Sequence, residues 1–149
     1  MLVDKAMRYY LLEDMNCAES VLYAANDEYG LELDRAGLKT MAGFGGGMSI
    51  ETTCCGALSG AIAAISVRFT KTKAHENPEV REICKDFLNG FVARHGEINC
   101  APLKDLYRDE RSRCLPVIEM AAEELERIMK DHERRSEERR VGKECIAVC

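Results

Sequence analysis

The sequence lacks the features of a membrane-spanning, secreted or nucleic-acid-binding protein. Its longest apolar stretch, residues 57–67, is too short to span a bilayer. No cationic segment followed by an apolar run opens the chain, so we expect no signal peptide. The formal net charge of −5 argues against nucleic acid or an anionic membrane as the main partner. These absences predict a cytoplasmic protein, in a compartment where thiols are kept reduced.

Several common cysteine and phosphate-binding motifs are absent as well. No Cys-x-x-Cys spacing occurs, which excludes the usual zinc-finger, thioredoxin and ferredoxin arrangements. The glycine-rich run at residues 43–47 is not followed by Gly-Lys-Ser or Gly-Lys-Thr, so it is not a phosphate-binding P-loop. Any cysteine site must therefore be assembled from distant segments.

The composition indicates one helical domain. The chain has 149 residues with no Trp and three Pro, and 46% of its residues are hydrophobic, which suffices for one buried core. Good helix formers such as Ala, Leu, Glu and Lys dominate, and no convincing strand pattern is present. The prediction is an all-α fold, a compact bundle of about six to seven helices around a buried central helix rich in small residues.

Capping residues mark where most of the helices begin and end. After a first helix over residues 3–13, Asn16 and Glu19 form a capping-box pair that opens a second helix ending near Gly30. The other helix starts lie at Asp34, at Asn77-Pro78, at Asn99 and at Pro116.

The fourth helix is predicted to be the buried centre of the bundle. Thr52 or Thr53 is expected to cap it, which places Cys54 and Cys55 in its first turn. This segment is apolar on nearly every side, which is typical of a buried helix. Its small residues form one face that allows another helix to approach closely, and they are Gly56, Ser59, Gly60 and Ala63.

The charged C-terminal tail is treated separately from the rest of the chain. Residues 135–145 read Arg-Ser-Glu-Glu-Arg-Arg-Val-Gly-Lys-Glu-Cys, which resembles the in-frame translation of a common short-read sequencing adapter. We therefore expect a single cysteine-rich domain over residues 1–134 and an artefactual tail over residues 135–149. The alternative is a solvated, charged extension. The tail carries two of the eight cysteines, Cys145 and Cys149.

The remaining cysteines are placed mainly at predicted helix starts. Cys17 and Cys100 share an Asn-Cys-Ala setting in which Asn is the expected cap and Cys the first helical residue. Cys55 lies near the start of the fourth helix, and Cys114 lies just before the last one. The free N–H groups and positive dipole end of a helix start favour a thiolate, which is the nucleophile of redox chemistry and a ligand for metals.

Plainer interpretations accompany each of these features. Free cysteines often only fill a core, and Cys84, in the middle of a helix, is interpreted in this way. His95 is interpreted as a helix-end residue, with a role as base or ligand as the alternative. The glycines at residues 43–47 either connect two helices flexibly or allow the backbone to approach a cofactor or Cys55 closely. The acidic residues of the last helix, Glu123, Glu124 and Glu126, are interpreted as a solvated face.

One motif identifies a family that the chain resembles. The segment Cys55-Gly56-Ala57-Leu58-Ser59-Gly60 matches Cys-Gly-Ala-x-x-Gly, and Phe44-Gly45-Gly46-Gly47 precedes it. With one cysteine before the motif and two after it, the chain from about residue 5 to about residue 130 resembles the C_GCAxxG_C_C family, which carries the label redox-active. A related cysteine arrangement accompanies iron–sulfur binding in some cytochrome-associated domains.

The resemblance implies a set of site residues. The four characteristic cysteines of the family correspond to Cys17, Cys55, Cys100 and Cys114, and Cys54 and Cys84 are additional. The glycines expected to approach a cofactor are Gly45, Gly46, Gly47 and Gly56.

Three functions are open at this point. The leading hypothesis is a redox protein, such as a thiol–disulfide oxidoreductase with an unidentified redox partner, in which Cys55 is the most activated thiolate. Cys17, Cys100 or Cys114 would then resolve it as a disulfide. The second hypothesis is that these four cysteines bind zinc or an iron–sulfur cluster. The third is a structural interaction module, such as a helical homodimer, that does not need the cysteines.

Overall fold

The computed structural model describes the backbone of residues 1–148 and the side chains of residues 1–142. The regular secondary structure of the described chain is helical, with two short 3-10 turns at Ala42–Phe44 and Ala74–Glu76 and no strand beyond isolated bridges. The prediction of an all-α fold is confirmed. The α-helices are α1 (Leu2–Leu11), α2 (Cys17–Tyr29), α3 (Arg35–Lys39), α4 (Gly45–Met48), α5 (Gly56–Phe69), α6 (Glu79–His95), α7 (Cys100–Tyr107) and α8 (Leu115–Val148).

Helix α2 begins at the predicted capping box. The Asn16 side chain accepts a hydrogen bond from the Glu19 N–H at 2.9 Å, and the Glu19 carboxylate accepts one from the Asn16 N–H at 3.1 Å. Gly30 ends the helix in the left-handed conformation, with φ of 58°, which glycine adopts without steric cost. These local interactions place Cys17 as the first residue of α2.

Helix α5 is the centre of the bundle and packs against α2, α6 and α8. Half of its residues are buried, including Leu58 and Ile65, in agreement with the predicted buried centre. Gly60 lies against α2, since a Cβ at this position would be 2.5 Å from the Ala18 carbonyl oxygen. The small-residue face therefore allows two helix backbones to touch, and it brings the start of α2 close to the start of α5.

Two predicted caps are wrong. Helix α5 starts after Cys55, and not after Thr52 or Thr53, because the backbone before it is used in long-range pairing. Cys54 and Cys55 therefore precede the first helical turn. Asn77 does not cap α6; its side-chain oxygen accepts hydrogen bonds from the N–H groups of Lys71 and Thr72 and closes the preceding loop.

The acidic residues of α8 do not form one solvated face. Glu124 is only 3% exposed and forms ion pairs with Arg94 of α6 and Arg127 of α8. Glu126 is half-buried and accepts a hydrogen bond from the Leu2 N–H at 2.8 Å, whereas Glu123 is exposed. The prediction is therefore correct for Glu123 alone, because α6 and the chain start pack onto the other two.

Helix α8 continues beyond the bundle. Every described side chain from residue 133 to residue 142 is exposed. None of the helices in residues 1–148 has the length and apolar content of a membrane span. That the tail is an artefact stays a prediction, and Cys145 and Cys149 lie outside the described side chains.

Candidate functional site

One cavity of about 310 Å³ brings together the four cysteines that the resemblance singled out. Cys17, Cys55, Cys100 and Cys114 all line it, although they are spread over almost a hundred residues of sequence. Each lies at the start of a different helix, so four helix N-termini meet at this cavity. The other lining residues are Tyr10, Asp14, Met15, Asn16, Gly46, Leu103, Lys104, Arg108, Arg113 and Val117.

Cys55 and Cys100 are held together by backbone pairing. The Cys55 N–H donates to the Ile98 carbonyl at 2.8 Å, and the Cys100 N–H donates to the Thr53 carbonyl at 2.9 Å. Between these bonds, Cys54 and Asn99 form an antiparallel bridge. The start of α7 is thereby fixed against the segment before α5, and this pairing places the two buried cysteines on the same cavity.

Cys17 packs against the glycine motif. A Cβ at Gly56 would lie 2.6 Å from the Cys17 sulfur and 2.8 Å from the Phe44 carbonyl oxygen. A Cβ at Gly45 would lie 2.5 Å from the Asn16 side-chain nitrogen. Both positions need glycine because the start of α2 approaches their backbone closely.

The predicted cofactor glycines divide into two groups. Gly46 lines the cavity and takes the left-handed conformation, with φ of 63°. Gly47 also has positive φ, and a Cβ there would lie 2.6 Å from the Cys100 Cβ. Gly45, Gly47 and Gly56 therefore allow close packing around Cys17 and Cys100. The expected approach of the glycine run to a cofactor or to Cys55 stays a prediction, with Gly46 on the same cavity as Cys55.

Cys114 is positioned by α1 and α8. Its N–H donates to the Tyr10 hydroxyl oxygen at 3.2 Å, and its carbonyl accepts from the Val117 and Ile118 N–H groups at the start of α8. Cys114 therefore occupies the capping position of α8, in agreement with the prediction that it lies just before the last helix.

Burial acts against free thiolates in this cavity. It raises the pKa of Cys55 to about 12, and the nearby Cys17 thiol adds to this shift, while the N–H groups of Ala57 and Leu58 oppose it only in part. Burial also raises the pKa of Cys100 and Cys114. This direction runs against the expectation that Cys55 is the most activated thiolate, because desolvation outweighs the helix start.

Cations surround the sulfur atoms. The Lys104 ammonium lowers the pKa of Cys100 in part, and Lys104, Arg108 and Arg113 together do so for Cys114. Asp14 is the carboxylate among the residues that line the cavity. These cations were not among the residues predicted from the sequence. A usable signal was present, since Cys100, Lys104 and Arg108 are spaced by four residues and therefore share one side of α7 and its end.

The other cysteines and His95 lie away from this cavity. The Cys54 thiol points to the Cys55 carbonyl at 3.7 Å. Cys84 lies on α6, is half-buried and packs against the core, which agrees with the prediction that it is a core residue. His95 ends α6, where its ring packs against Phe91 and Tyr107. None of the three is among the residues that line the cavity.

The donor set of the cavity is chemically suited to soft metal centres. Four thiols are the ligand set of iron–sulfur clusters and of some zinc sites. Among the described residues, no group of three or more His, Cys, Asp or Glu side chains has an arrangement that could hold a metal ion. The four cysteines thus line one cavity, but their sulfurs do not converge on a single metal ion.

Comparison with known proteins identifies the family. Residues 15–128, most of the chain, match the family described as "Putative redox-active protein (C_GCAxxG_C_C)". A relative from Archaeoglobus fulgidus, named "Uncharacterized protein", is 33% identical over 127 residues, which covers 76% of this chain and 83% of that relative. No solved structure matches the chain. The chain therefore belongs to the C_GCAxxG_C_C family, and its motif cysteine, Cys55, lies in the four-cysteine cavity.

Proposed function

We propose that this protein transfers electrons through an iron–sulfur cluster bound by Cys17, Cys55, Cys100 and Cys114. The observation that carries the proposal is that these four thiols line one cavity. When bound, such a cluster supplies a one-electron redox centre whose potential depends on nearby charge, hydrogen bonds and solvent. The protein residues supply the ligands, a partly enclosed pocket and nearby cations.

The raised pKa values of Cys55, Cys100 and Cys114 support a metal ligand more than a free nucleophile. A buried thiol with a pKa of about 12 is protonated at neutral pH and is a poor nucleophile. A coordinating metal deprotonates such a thiol outright, so a high pKa in the metal-free protein does not prevent ligation. Lys104, Arg108 and Arg113 stabilise the negative charge that the thiolates would then carry.

The size of the cavity favours a cluster over a single ion. A zinc site draws its sulfur ligands to about 2.3 Å from one point. The cavity that these four cysteines help to line has a volume of about 310 Å³, which leaves room for a larger inorganic group than a single ion.

The test is the metal and sulfide content of the full chain, purified without oxygen and reconstituted with iron and sulfide. We expect stoichiometric iron and acid-labile sulfide with visible absorption that bleaches on reduction. Serine at any one of the four positions should lower iron retention and thermal stability together. Cys54→Ser and Cys84→Ser are the matched controls and should retain the metal. A metal-free protein after reconstitution, or equal iron in all six variants, would contradict the proposal.

A second candidate is a dithiol that forms a disulfide in the same cavity. It is favoured by the position of Cys17. Burial is the largest cause of the raised pKa values of Cys55, Cys100 and Cys114, and the nearby Cys17 thiol raises all three further. Cys17 is thus a neighbour that all three could pair with. In this case, trapping with a thiol reagent across a range of glutathione potentials should give one two-electron transition, and Cys17→Ser should abolish it.

A further inference from the structure

We infer that the mouth of the cysteine cavity binds a small divalent oxyanion, held by the guanidinium groups of Arg108 and Arg113. Both arginines line the cavity, and both are exposed at its opening. Planar guanidinium groups bind oxyanions through paired hydrogen bonds, which makes arginine the usual residue for this task. The ligand class is a tetrahedral or trigonal anion of the size of sulfate, phosphate or sulfite.

Arg113 is held in place by an unusual backbone. Its φ is 56°, in the left-handed region that residues with a side chain rarely adopt. The turn that contains it is closed by two backbone hydrogen bonds between Asp109 and Arg113, at 2.9 and 2.7 Å. Strain of this kind persists where the surrounding structure fixes it, often at ligand sites.

The Arg113 side chain is also fixed. Its guanidinium carbon lies 4.5 Å from the centre of the Tyr10 ring, in a cation–π contact. The Tyr10 hydroxyl in turn accepts the N–H of Cys114. The cation is therefore oriented by the same residue that positions a cysteine of the site, so an anion bound to Arg113 would lie beside the sulfur atoms.

Among the cations that line the cavity, Arg108 and Arg113 are the two whose charge is not used in an ion pair within residues 1–142. Lys104 pairs with Glu51 at 2.7 Å, and this contact lowers the pKa of Glu51. Within residues 1–142, neither Arg108 nor Arg113 forms an ion pair with a carboxylate. Asp14 is the acidic residue of the lining, and Glu51, whose pKa is also lowered by the charge of Arg108, is already paired with Lys104.

The charges outside the mouth favour a small anion over an acidic protein. Asp105, Asp109 and Glu110 are exposed around Arg108, and the chain as a whole has a net charge of −5. An acidic protein surface would meet these carboxylates, whereas a small anion can enter the cavity and contact only the arginines.

This inference rests on the proposed function in one respect, that the anion would lie beside the redox centre, but its test does not depend on metal. The full chain is titrated calorimetrically with sodium sulfate at constant ionic strength, with chloride as the balancing anion. We expect saturable sulfate binding with a stoichiometry of one. Arg108→Gln and Arg113→Gln should each weaken it at least about tenfold. Arg111→Gln, in the same turn but outside the cavity lining, is the matched control and should bind as the unmodified chain does.

Arg108→Gln is expected to fold normally, because Arg108 is exposed and its replacement leaves the strained turn at Arg113 intact. A loss of sulfate binding in this variant therefore does not result from misfolding. The absence of sulfate binding to the unmodified chain, or equal binding in all four proteins, would overturn the inference. Capture of an acidic protein through the same arginines without sulfate binding would also overturn it. The iron content of each variant separates the two proposals. Sulfate binding by metal-free protein supports the anion site alone, and iron without sulfate binding supports only the cluster.

Discussion

The Cys17 sulfur lies against the backbone of Gly56, so close that a Cβ on Gly56 would be 2.6 Å from it. This contact joins the first cysteine of the family pattern to the glycine of the Cys-Gly-Ala motif. It explains in physical terms why glycine follows Cys55, because the start of α2 and the start of α5 share the same space. The motif is therefore a packing requirement of the cavity.

Gly56→Ala should damage both the fold and the site. The added methyl group meets the Cys17 sulfur on one side and the Phe44 carbonyl oxygen on the other, so the helix starts must separate. We expect a loss of about 1–3 kcal/mol in the free energy of unfolding. Urea denaturation measures it. Gly43→Ala is the matched control, since a Cβ there meets nothing within 4 Å, and a comparable loss in both variants would refute this explanation.

Glu124→Ala should destabilise the contact between α6 and α8. The buried carboxylate accepts hydrogen bonds from Arg94 and Arg127, and Gly90 leaves the room that it needs. Because both arginines remain partly exposed and can be solvated, we expect a moderate cost of about 1–3 kcal/mol. Glu123→Ala, at the exposed neighbouring position, should change stability by no more than about 0.5 kcal/mol. Thermal unfolding of the two variants distinguishes them, and equal midpoints would count against the buried network.

The stability of the metal-free protein should fall at alkaline pH. Burial raises the pKa of Cys55 from its ordinary value of 9.0 to about 12, so the folded chain keeps a proton that the unfolded chain releases. The stabilising contribution is therefore complete below pH 9.0 and is lost as the pH rises toward about 12. Urea denaturation at several pH values should show this decline. Cys55→Ala should reduce the slope of the unfolding free energy against pH by an amount that corresponds to at most about one proton. An unchanged slope would contradict this prediction.

Removal of the tail after Arg134 should leave the domain unchanged. All described side chains from residue 133 to residue 142 are exposed, and the Arg134–Glu138 ion pair is a surface pair within one helix. Such pairs contribute about 0.3–0.5 kcal/mol. We expect the same thermal midpoint and the same iron content for residues 1–134 as for the full chain. A clear drop in either would show that the tail contributes to the stability or to the metal binding of the domain.

The local features of this fold are those that the sequence predicted best. The Asn16 capping box, the left-handed Gly30 and the small-residue face of α5 each depend on residues close together in the chain. Together with the Asn-Cys-Ala setting of Cys100, these patterns carried enough information to place Cys17 and Cys100 at helix starts. The family motif added which four cysteines to consider.

The arrangement of the site depended on tertiary structure. Whether Cys55 lies inside α5 or before it is decided by pairing of residues 53–55 with residues 98–100, which local sequence does not reveal. The same holds for the Tyr10 contact that fixes Arg113 and for the burial that raises the pKa of Cys55. Sequence alone determined the helices and their cysteine-bearing ends, because caps and periodicity are local. Only the packing of α2, α5, α7 and α8 determined that these ends meet at one cavity, because contacts between distant segments and desolvation exist only in the folded chain.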